Sequence, residues 1–231
     1  QGLHTNFRYR FTDKFNFAGN YTYSKTEGNF EGEFSNTGPV SASSESYVEY
    51  REASWNYPKG YLPTDSRHKL RLWGVYDIVR TKHHGLNAAL LLNFFSGTPY
   101  GASASIDPRP YVNNPGYENP PSSVTYWFTG RDAFTTDDVT RTDLSINYSF
   151  DFAAWGQDFE IFIQPEMLNI FNEQAVDNPN SSIRTLADFD PFTETPVEGV
   201  HWEKRDTFGE PQAEADYQSP RTFRLSIGFR F

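Results

Sequence analysis

The stretch Ser219–Phe231, SPRTFRLSIGFRF, decides the fold that we expect for this chain. Its alternate positions are apolar: Phe223, Leu225, Ile227, Phe229 and Phe231. The residues between them are polar, charged or glycine. A repeat of two residues is the repeat of a β-strand that has one apolar face and one polar face. The stretch therefore predicts a strand with an aromatic residue at its end.

Six segments upstream repeat this length and alternation: Leu3–Phe11, Phe15–Ser24, Arg67–Ile78, Leu86–Phe94, Arg141–Phe152 and a segment that begins at Phe159. The first two are separated by only a few polar residues, which is typical of a β-hairpin. We expect the sixth segment to fray near Pro165. A further β-like stretch, Ser122–Thr129, lies within a long connection, so we expect it to form a hairpin in a loop.

The connections between the segments alternate in length. Those after the first, third and fifth segments are short, whereas those after the second, fourth and sixth run to roughly forty residues, far beyond an ordinary hairpin loop. This alternation places all short turns at one end of the sheet and all long loops at the other. It is typical of outer-membrane barrels, which have short periplasmic turns and long extracellular loops. We therefore predict an all-β chain that forms a transmembrane antiparallel β-barrel with a periplasmic C-terminus.

Composition is compatible with this fold. The net charge is −10, cysteine is absent and the mean hydropathy is −0.68. No apolar run approaches the roughly 20 residues that a membrane helix needs. A low mean hydropathy suits a barrel, because only alternate residues of each strand meet lipid. The acidic balance argues against a nucleic-acid partner.

Seven strands are an odd number, whereas bacterial single-chain barrels usually have an even one. An open sheet edge in lipid would leave backbone groups unsatisfied, at several kcal/mol each. Two arrangements are open: a small barrel of about eight strands, or the last part of a larger one. We expect the larger barrel. No signal-peptide pattern follows Gln1, so any targeting segment is expected outside this sequence.

Three short stretches carry a family resemblance. They are Asp65–Leu70 (DSRHKL), Leu168–Asn172 (LNIFN) and Arg221–Phe231 (RTFRLSIGFRF). Together they resemble the TonB-dependent outer-membrane receptors of Gram-negative bacteria, closest to the Oar-like and SusC-like types. The resemblance implies that residues 1–231 are the C-terminal portion of a plugged barrel of about 22 strands. Neither the plug nor a TonB box is present in this sequence.

The resemblance also implies partners. They are outer-membrane lipid, the remainder of the barrel and its plug, TonB acting through that plug, the barrel-assembly machinery and a surface lipoprotein. Phe231 matches the C-terminal aromatic residue that the assembly machinery recognises in this family. No cofactor is implied.

Charged side chains alternate with the apolar residues and would face the lumen. We expect six of them to face the plug or a solute: Arg67, Lys69, Arg71, Arg141, Asp143 and Arg224. The alternative is a hydrated wall with no specific role, since polar lumenal residues are normal in porin-like barrels.

Aromatic residues of the long loops are the candidate ligand-binding residues: Trp55, Tyr57, Tyr61, Tyr126, Trp127 and Trp202. Exposed rings bury area at low entropy cost when they stack on sugars or grip peptides. The alternative is that the same rings pack on one another and form a small core within the loops. The sequence leaves both interpretations open.

Catalytic and metal chemistry find little support. The loop from Asn172 to Ser219 is strongly acidic but lacks the spacing of a calcium loop. His83 and His84 lie at a short turn without cysteine or clustered carboxylates, so we expect no metal there. We therefore expect no enzyme activity.

The expected function is energised uptake of a large solute, a glycan or a peptide, across the bacterial outer membrane. Two alternatives remain open within the membrane. One is a small self-contained barrel that acts as an adhesin or anchor, and the other is Oar-like export of protein. A soluble glycan-binding β-sandwich is disfavoured, because it has no reason to keep the alternation of short and long connections.

Overall fold

The computed structural model describes residues 1–29, 48–113 and 116–231. The strands in these residues are β1 (Gly2–Arg10), β2 (Phe15–Ser24), β3 (Glu27–Gly28), β4 (Gly60–Tyr61), β5 (His68–Arg80), β6 (His84–Phe95), β7 (Pro99–Tyr100), β8 (Ser103–Ile106), β9 (Val124–Trp127), β10 (Phe134–Thr135), β11 (Val139–Ala154), β12 (Gln157–Leu168), β13 (Ile183–Thr185), β14 (Trp202–Lys204) and β15 (Thr222–Arg230). Helix α1 spans Ala53–Asn56, and 3-10 turns span Val48–Tyr50, Arg109–Tyr111 and Glu214–Asp216. No helix in the described ranges is both long and apolar enough to cross a membrane.

One antiparallel sheet dominates the fold. Its seven strands follow the order β1-β2-β5-β6-β11-β12-β15, so each pairs with its neighbours along the chain. These strands are the seven predicted segments, and the all-β prediction is confirmed. The sheet is open in the described residues, since no pairing joins β1 to β15 there.

The register separates the two faces of the sheet. Leu72 lies opposite Gly19 on one side and Leu92 on the other, and the predicted apolar positions of all seven strands share this face. A β-bulge between Asp77 and Val79 is the exception. The alternation within the segment Arg67–Ile78 would place Ile78 opposite Leu86. Because the bulge adds one residue to β5, Val79 lies there instead.

The prediction of fraying near Pro165 is wrong. β12 continues through Pro165, which pairs with Leu225 of β15. Pairing with β11 is interrupted between Ile163 and Glu166, whereas pairing with β15 is unbroken. A proline removes one ladder donor, and the neighbouring strand β15 holds β12 in place despite that loss.

The turn between β11 and β12 is the tightest hairpin. Trp155 and Gly156 are its two central residues, with φ of 50° and 76°. Positive φ at both positions is the type I′ turn, whose twist matches that of the flanking strands. Trp155 is 94% exposed, so this turn projects an indole ring from the short-turn end of the sheet.

The three long connections pack on one another at the opposite end. They contain four two-stranded sheets: β3–β4, β7–β10, β8–β9 and β13–β14. Within Ser122–Thr129, β9 pairs with β8 outside the large sheet, which confirms that this stretch forms a loop sheet. A small core of Ala102, Ile183 and Trp202 lies where the loops meet. We call this assembly the loop layer.

Candidate functional site

The apolar face of the large sheet is uncovered. Large apolar side chains on it are widely exposed, including Phe223 (69%), Leu225 (61%) and Ile227 (70%) on β15. Exposure extends to the middle of the sheet, where Leu90 of β6 is 45% exposed. Apolar patches that extend over several strands are rare on proteins that are surrounded by water. Such a patch marks a surface that contacts protein or membrane.

The polar face carries rows of hydrogen-bonding side chains across the strands. One row consists of Asn6, Asn20, Arg71, Asn93 and Arg141, which lie side by side on β1, β2, β5, β6 and β11. Directly opposite residues have Cβ atoms about 5 Å apart. The register therefore brings two guanidinium groups to either side of one amide, close to the loop end of the sheet.

Five of the six predicted lumenal charges lie on this polar face. They are Lys69, Arg71, Arg141, Asp143 and Arg224. Arg67 precedes β5 instead, and its Nη2 donates to Asp65 Oδ2 at 2.9 Å while its guanidinium lies 4.3 Å from the centre of the Tyr61 ring. The hydrogen bond to Asp65 raises the pKa of the Arg67 guanidinium.

Ion pairs neutralise part of the face. Arg141 Nη2 lies 2.9 Å from Asp143 Oδ2, and Arg224 Nη2 lies 3.0 Å from Glu166 Oε2. By contrast, neither Lys69 nor Arg71 has a carboxylate within salt-bridge distance among the residues that the structure describes. Partly exposed pairs contribute about 0–1 kcal/mol each, so these charges matter more for what they attract than for stability.

An apolar patch interrupts the polar face beside the two ion pairs. Trp73, Val75, Ala89, Leu91 and Leu168 line a depression of about 440 Å³ there. The patch was not predicted from the sequence. The signal was available, since apolar residues at positions of polar parity break the alternation on β5 and β6.

The loop aromatics divide into buried and partly exposed rings. Trp55, Tyr57 and Trp202 are only 7%, 5% and 3% exposed. An external ligand cannot stack on rings that are already covered, so self-packing, the alternative interpretation from sequence, describes these three. The ligand-binding role predicted for them is corrected accordingly.

The other three predicted aromatics, Tyr61, Tyr126 and Trp127, are half-buried. Tyr126 packs against Trp55 and Phe189, at 5.6 and 5.5 Å between ring centres. Burial is the main cause of the raised pKa of the Tyr126 hydroxyl. Trp127 Nε1 donates to the Asn56 carbonyl at 3.2 Å. Tyr61, stacked with Arg67, is the one that also borders the large sheet.

Carboxylates of the acidic loop organise its own turns. Asp190 accepts hydrogen bonds from the Phe192 amide and the Thr193 hydroxyl. Asp216 accepts from the backbone amides of Gln212 and Ala213 and from Asn178 Nδ2, and these donors lower the pKa of the Asp216 carboxyl. In the described ranges, no group of three or more histidine, cysteine or acidic side chains is arranged to hold a metal ion.

Two of the stretches behind the family resemblance are junctions between loops and strands. In DSRHKL, Asp65 is 3% exposed and accepts from the Thr26 amide at 2.7 Å, which ties the start of β5 to the end of β2. In LNIFN, Asn169 is fully buried and its backbone N–H donates to Asp143 Oδ1 at 2.9 Å. Phe231, at the end of the third stretch, is 90% exposed beside Phe229.

Comparison with family models, with characterised proteins and with solved structures found no match for this chain. The resemblance to TonB-dependent receptors therefore stays a prediction from sequence.

Proposed function

We propose that the chain forms part of the wall of an outer-membrane β-barrel of the TonB-dependent receptor type. The observation that carries this proposal is the continuous apolar face that runs across all seven strands and has exposed large side chains on every strand except β2. A sheet with one such face in water would aggregate, whereas in a bilayer the same side chains are solvated by lipid.

The connections support an outer-membrane setting. All long connections leave the sheet at one end, and all short turns lie at the other. Trp155, on the β11–β12 turn, suits the aromatic girdle that flanks the apolar band of such barrels. The orientation that follows has the short turns in the periplasm and the loop layer outside the cell.

The open edges of the sheet favour a barrel with more strands. In hydrocarbon, each unpaired backbone group costs several kcal/mol, so β1 and β15 both need partner strands. We assign these partners to the remainder of the barrel. The plug, and TonB acting through it, would supply the energy for uptake, and the barrel-assembly machinery would insert the chain through Phe231.

The polar face and the loop layer would serve transport of a large solute, a glycan or a peptide. Lys69 and Arg71, which have no carboxylate partner in the described ranges, lie on the polar face next to the loop end, where a solute from outside would arrive. Arg141, Asp143 and Arg224 lie on the same face, with Arg141 in the same cross-strand row as Arg71. This arrangement supports a solute path, or a plug contact, along the face.

Heat-modifiable migration tests the proposal. A folded outer-membrane barrel in mild detergent resists sodium dodecyl sulfate until it is boiled, so we expect the unheated protein to migrate faster than the heated one. Identical migration, together with recovery of the protein in the aqueous fraction, would sink the membrane proposal.

The size of the native protein separates the large barrel from a small one. We expect an intact mass in outer membranes several times the 26.5 kDa of this chain. A mass near 26.5 kDa would favour the second candidate, a small adhesin or anchor. The loop layer is compatible with that candidate, because its packed core would hold a binding surface for another cell or protein in a fixed shape.

A further inference from the structure

A cavity of about 350 Å³ lies where the polar face of the large sheet meets the connection between β12 and β15. Its wall includes Arg71, Asn93 and Arg141 from three neighbouring strands, and Asp177 and Gln218 from the connection. The three strand residues belong to one cross-strand row, so their side chains stand next to one another. We call this cavity the Asn93 site.

In each of two buried side-chain amides of the site, one polar atom lacks a hydrogen-bond partner in the described part of the chain. Asn93 is 7% exposed, and its Nδ2 has no acceptor. Gln218 is also 7% exposed, and its Oε1 has no donor. Native proteins pair nearly all buried polar groups with protein or ordered water, so one open donor and one open acceptor on the same cavity leave room for a bound water or a ligand.

The orientation of the Gln218 amide is fixed by its neighbours. Its Nε2 donates to the Thr140 carbonyl at 3.1 Å and to the Glu173 carbonyl at 2.6 Å. Turning the amide over would set its oxygen against two carbonyl oxygens, which cannot donate. The open group of Gln218 is therefore an acceptor, and it needs a ligand that donates an O–H or an N–H.

The charges of the wall fall into donors and acceptors. Arg71 lies 5.5 Å from the centre of the Phe95 ring and has no carboxylate partner in the described ranges. Arg141 is paired with Asp143, yet its side chain is 42% exposed and keeps donors open to the cavity. Asp177 is exposed and adds a second acceptor to Gln218 Oε1.

We propose that the Asn93 site binds an acidic sugar unit, a hexuronate, of a glycan. Arg71 and the open Asn93 donor suit a carboxylate, since charge-assisted hydrogen bonds from guanidinium to carboxylate are short and strong. Gln218 Oε1 and Asp177 are two acceptors that need two donors, and the hydroxyls of a sugar ring supply them. The end of a peptide with an aliphatic last residue brings a single N–H beside its carboxylate and leaves one acceptor open.

This inference rests on the proposed function, because it names a substrate class for a solute that reaches the polar face from outside. Glycans and peptides both remained open from the loops alone. The donor and acceptor inventory of the Asn93 site decides in favour of an acidic glycan.

Isothermal titration of the full-length protein in detergent tests the site with glucuronate, glucose and N-acetylglycine. We expect glucuronate to bind at least about tenfold more tightly than glucose, the difference that one charge-assisted hydrogen bond makes. It should also bind more tightly than N-acetylglycine, which has the carboxylate but lacks the ring hydroxyls. Comparable binding of glucose, or tighter binding of N-acetylglycine, would overturn the inference, the latter in favour of a peptide ligand. Absence of glucuronate binding to a protein that keeps heat-modifiable migration would overturn it too, while leaving the proposed function standing.

Variants locate the binding. Asn93→Asp and Arg71→Gln should each weaken glucuronate binding about tenfold or more, because one adds repulsion and the other removes a cation. Asn147→Asp is the matched control, on the same face of the next strand and about 20 Å from Asn93 along the strands. Equal weakening by Asn147→Asp would show a general charge effect and reject the site. Heat-modifiable migration of each variant checks that its barrel has assembled.

Discussion

At the scale of single residues, Asn169 joins three segments of the chain. Its backbone adopts a φ of 52°, which turns the chain sharply at the end of β12. Its Nδ2 donates to the carbonyls of Glu173 and Ser219, both at 3.0 Å, and its Oδ1 accepts from the Glu173 amide at 2.9 Å. Asparagine combines tolerance of left-handed backbone with a side chain that can both donate and accept.

Replacing Asn169 should therefore be costly. Asn169→Ala removes three side-chain hydrogen bonds and places a Cβ residue in left-handed backbone, so we expect the free energy of unfolding to fall by about 3 kcal/mol. The urea midpoint of heat-modifiable migration measures the change. Asn169→Gly keeps the backbone conformation and should recover part of the loss. An alanine variant as stable as the parent would show that this junction contributes nothing.

Asp216 gives the loop layer a dependence on pH. Hydrogen bonds from the Gln212 amide, from Asn178 and from the Ala213 amide lower the pKa of this carboxyl below its unfolded value of about 3.9. A lowered folded pKa stabilises the fold above about pH 3.9, and the contribution is lost as the pH falls through the folded pKa. We expect the turn to open at acidic pH, before the large sheet does.

Hydrogen exchange measures this opening. Protection of the Asp177 and Asn178 amides, which donate to the Asp216 carbonyl, should decrease as the pH is lowered from 5 towards 2, after correction for intrinsic exchange. Asp216→Asn cannot titrate and should remove this pH dependence. Persistence of the same pH profile in the Asn variant would assign the effect to another group.

At the scale of elements, the strands of the large sheet are defined by their two faces. On β6, Leu90 lies on the apolar face between Gly74 and Leu144, whereas Leu91 lies on the polar face between Trp73 and Asp143. Two adjacent leucines of one strand thus face opposite sides of the sheet.

Arginine substitutions at these two positions test which face meets lipid. Leu90→Arg should destabilise the inserted barrel by about 2–4 kcal/mol, because a cation near the bilayer midplane loses its hydration. Leu91→Arg disturbs packing against Trp73 but stays on the polar face near Asp143, so its effect should be smaller. The denaturant midpoint in lipid vesicles compares them. Equal stabilities, or a Leu90→Arg variant that is more stable than the parent, would contradict a lipid-facing surface.

At the scale of the whole molecule, a hydrogen-bonded sheet supports a separately packed loop layer. Trp202 joins the β12–β15 connection to the β6–β11 connection in this layer. It belongs to the core with Ala102 and Ile183, and its ring centre lies 5.6 Å from that of Phe128. The sheet leaves apolar side chains of one face exposed, whereas the loop layer buries its own apolar side chains. The two parts should therefore respond differently to a change in the loop core.

Truncation of Trp202 tests this division. Trp202→Ala should destabilise the loop layer by about 3–5 kcal/mol, the usual effect of emptying a large aromatic site. We expect faster cleavage of the loops by proteinase K added to intact cells, with heat-modifiable migration preserved. Leu186→Ala, at a loop position that is 43% exposed, is the control and should change neither. Loss of heat-modifiable migration in Trp202→Ala would show that the loops and sheet fold as one unit.

The sequence alone determined the seven strands, their two faces and their chain order of pairing, because all three depend on local alternation and on the length of each connection. It placed Lys69, Arg71, Arg141, Asp143 and Arg224 on one face for the same reason. It failed at Pro165 and Ile78. There, the pairing of β12 with β15 and a bulge against β6 override the local pattern.

Only the tertiary structure decided which loop aromatics are buried and which polar groups are left without partners. Nothing in the local sequence distinguishes Trp55 and Trp202 from exposed aromatic residues. Their burial depends on three connections that meet in space. Asn93 and Gln218 carry no sequence signal, since each is an ordinary polar residue in its own segment. Their open donor and acceptor become a candidate site because the sheet register and the return of the chain into β15 bring them to one cavity. Contacts between distant segments depend on the packing of the whole chain, which no local pattern encodes.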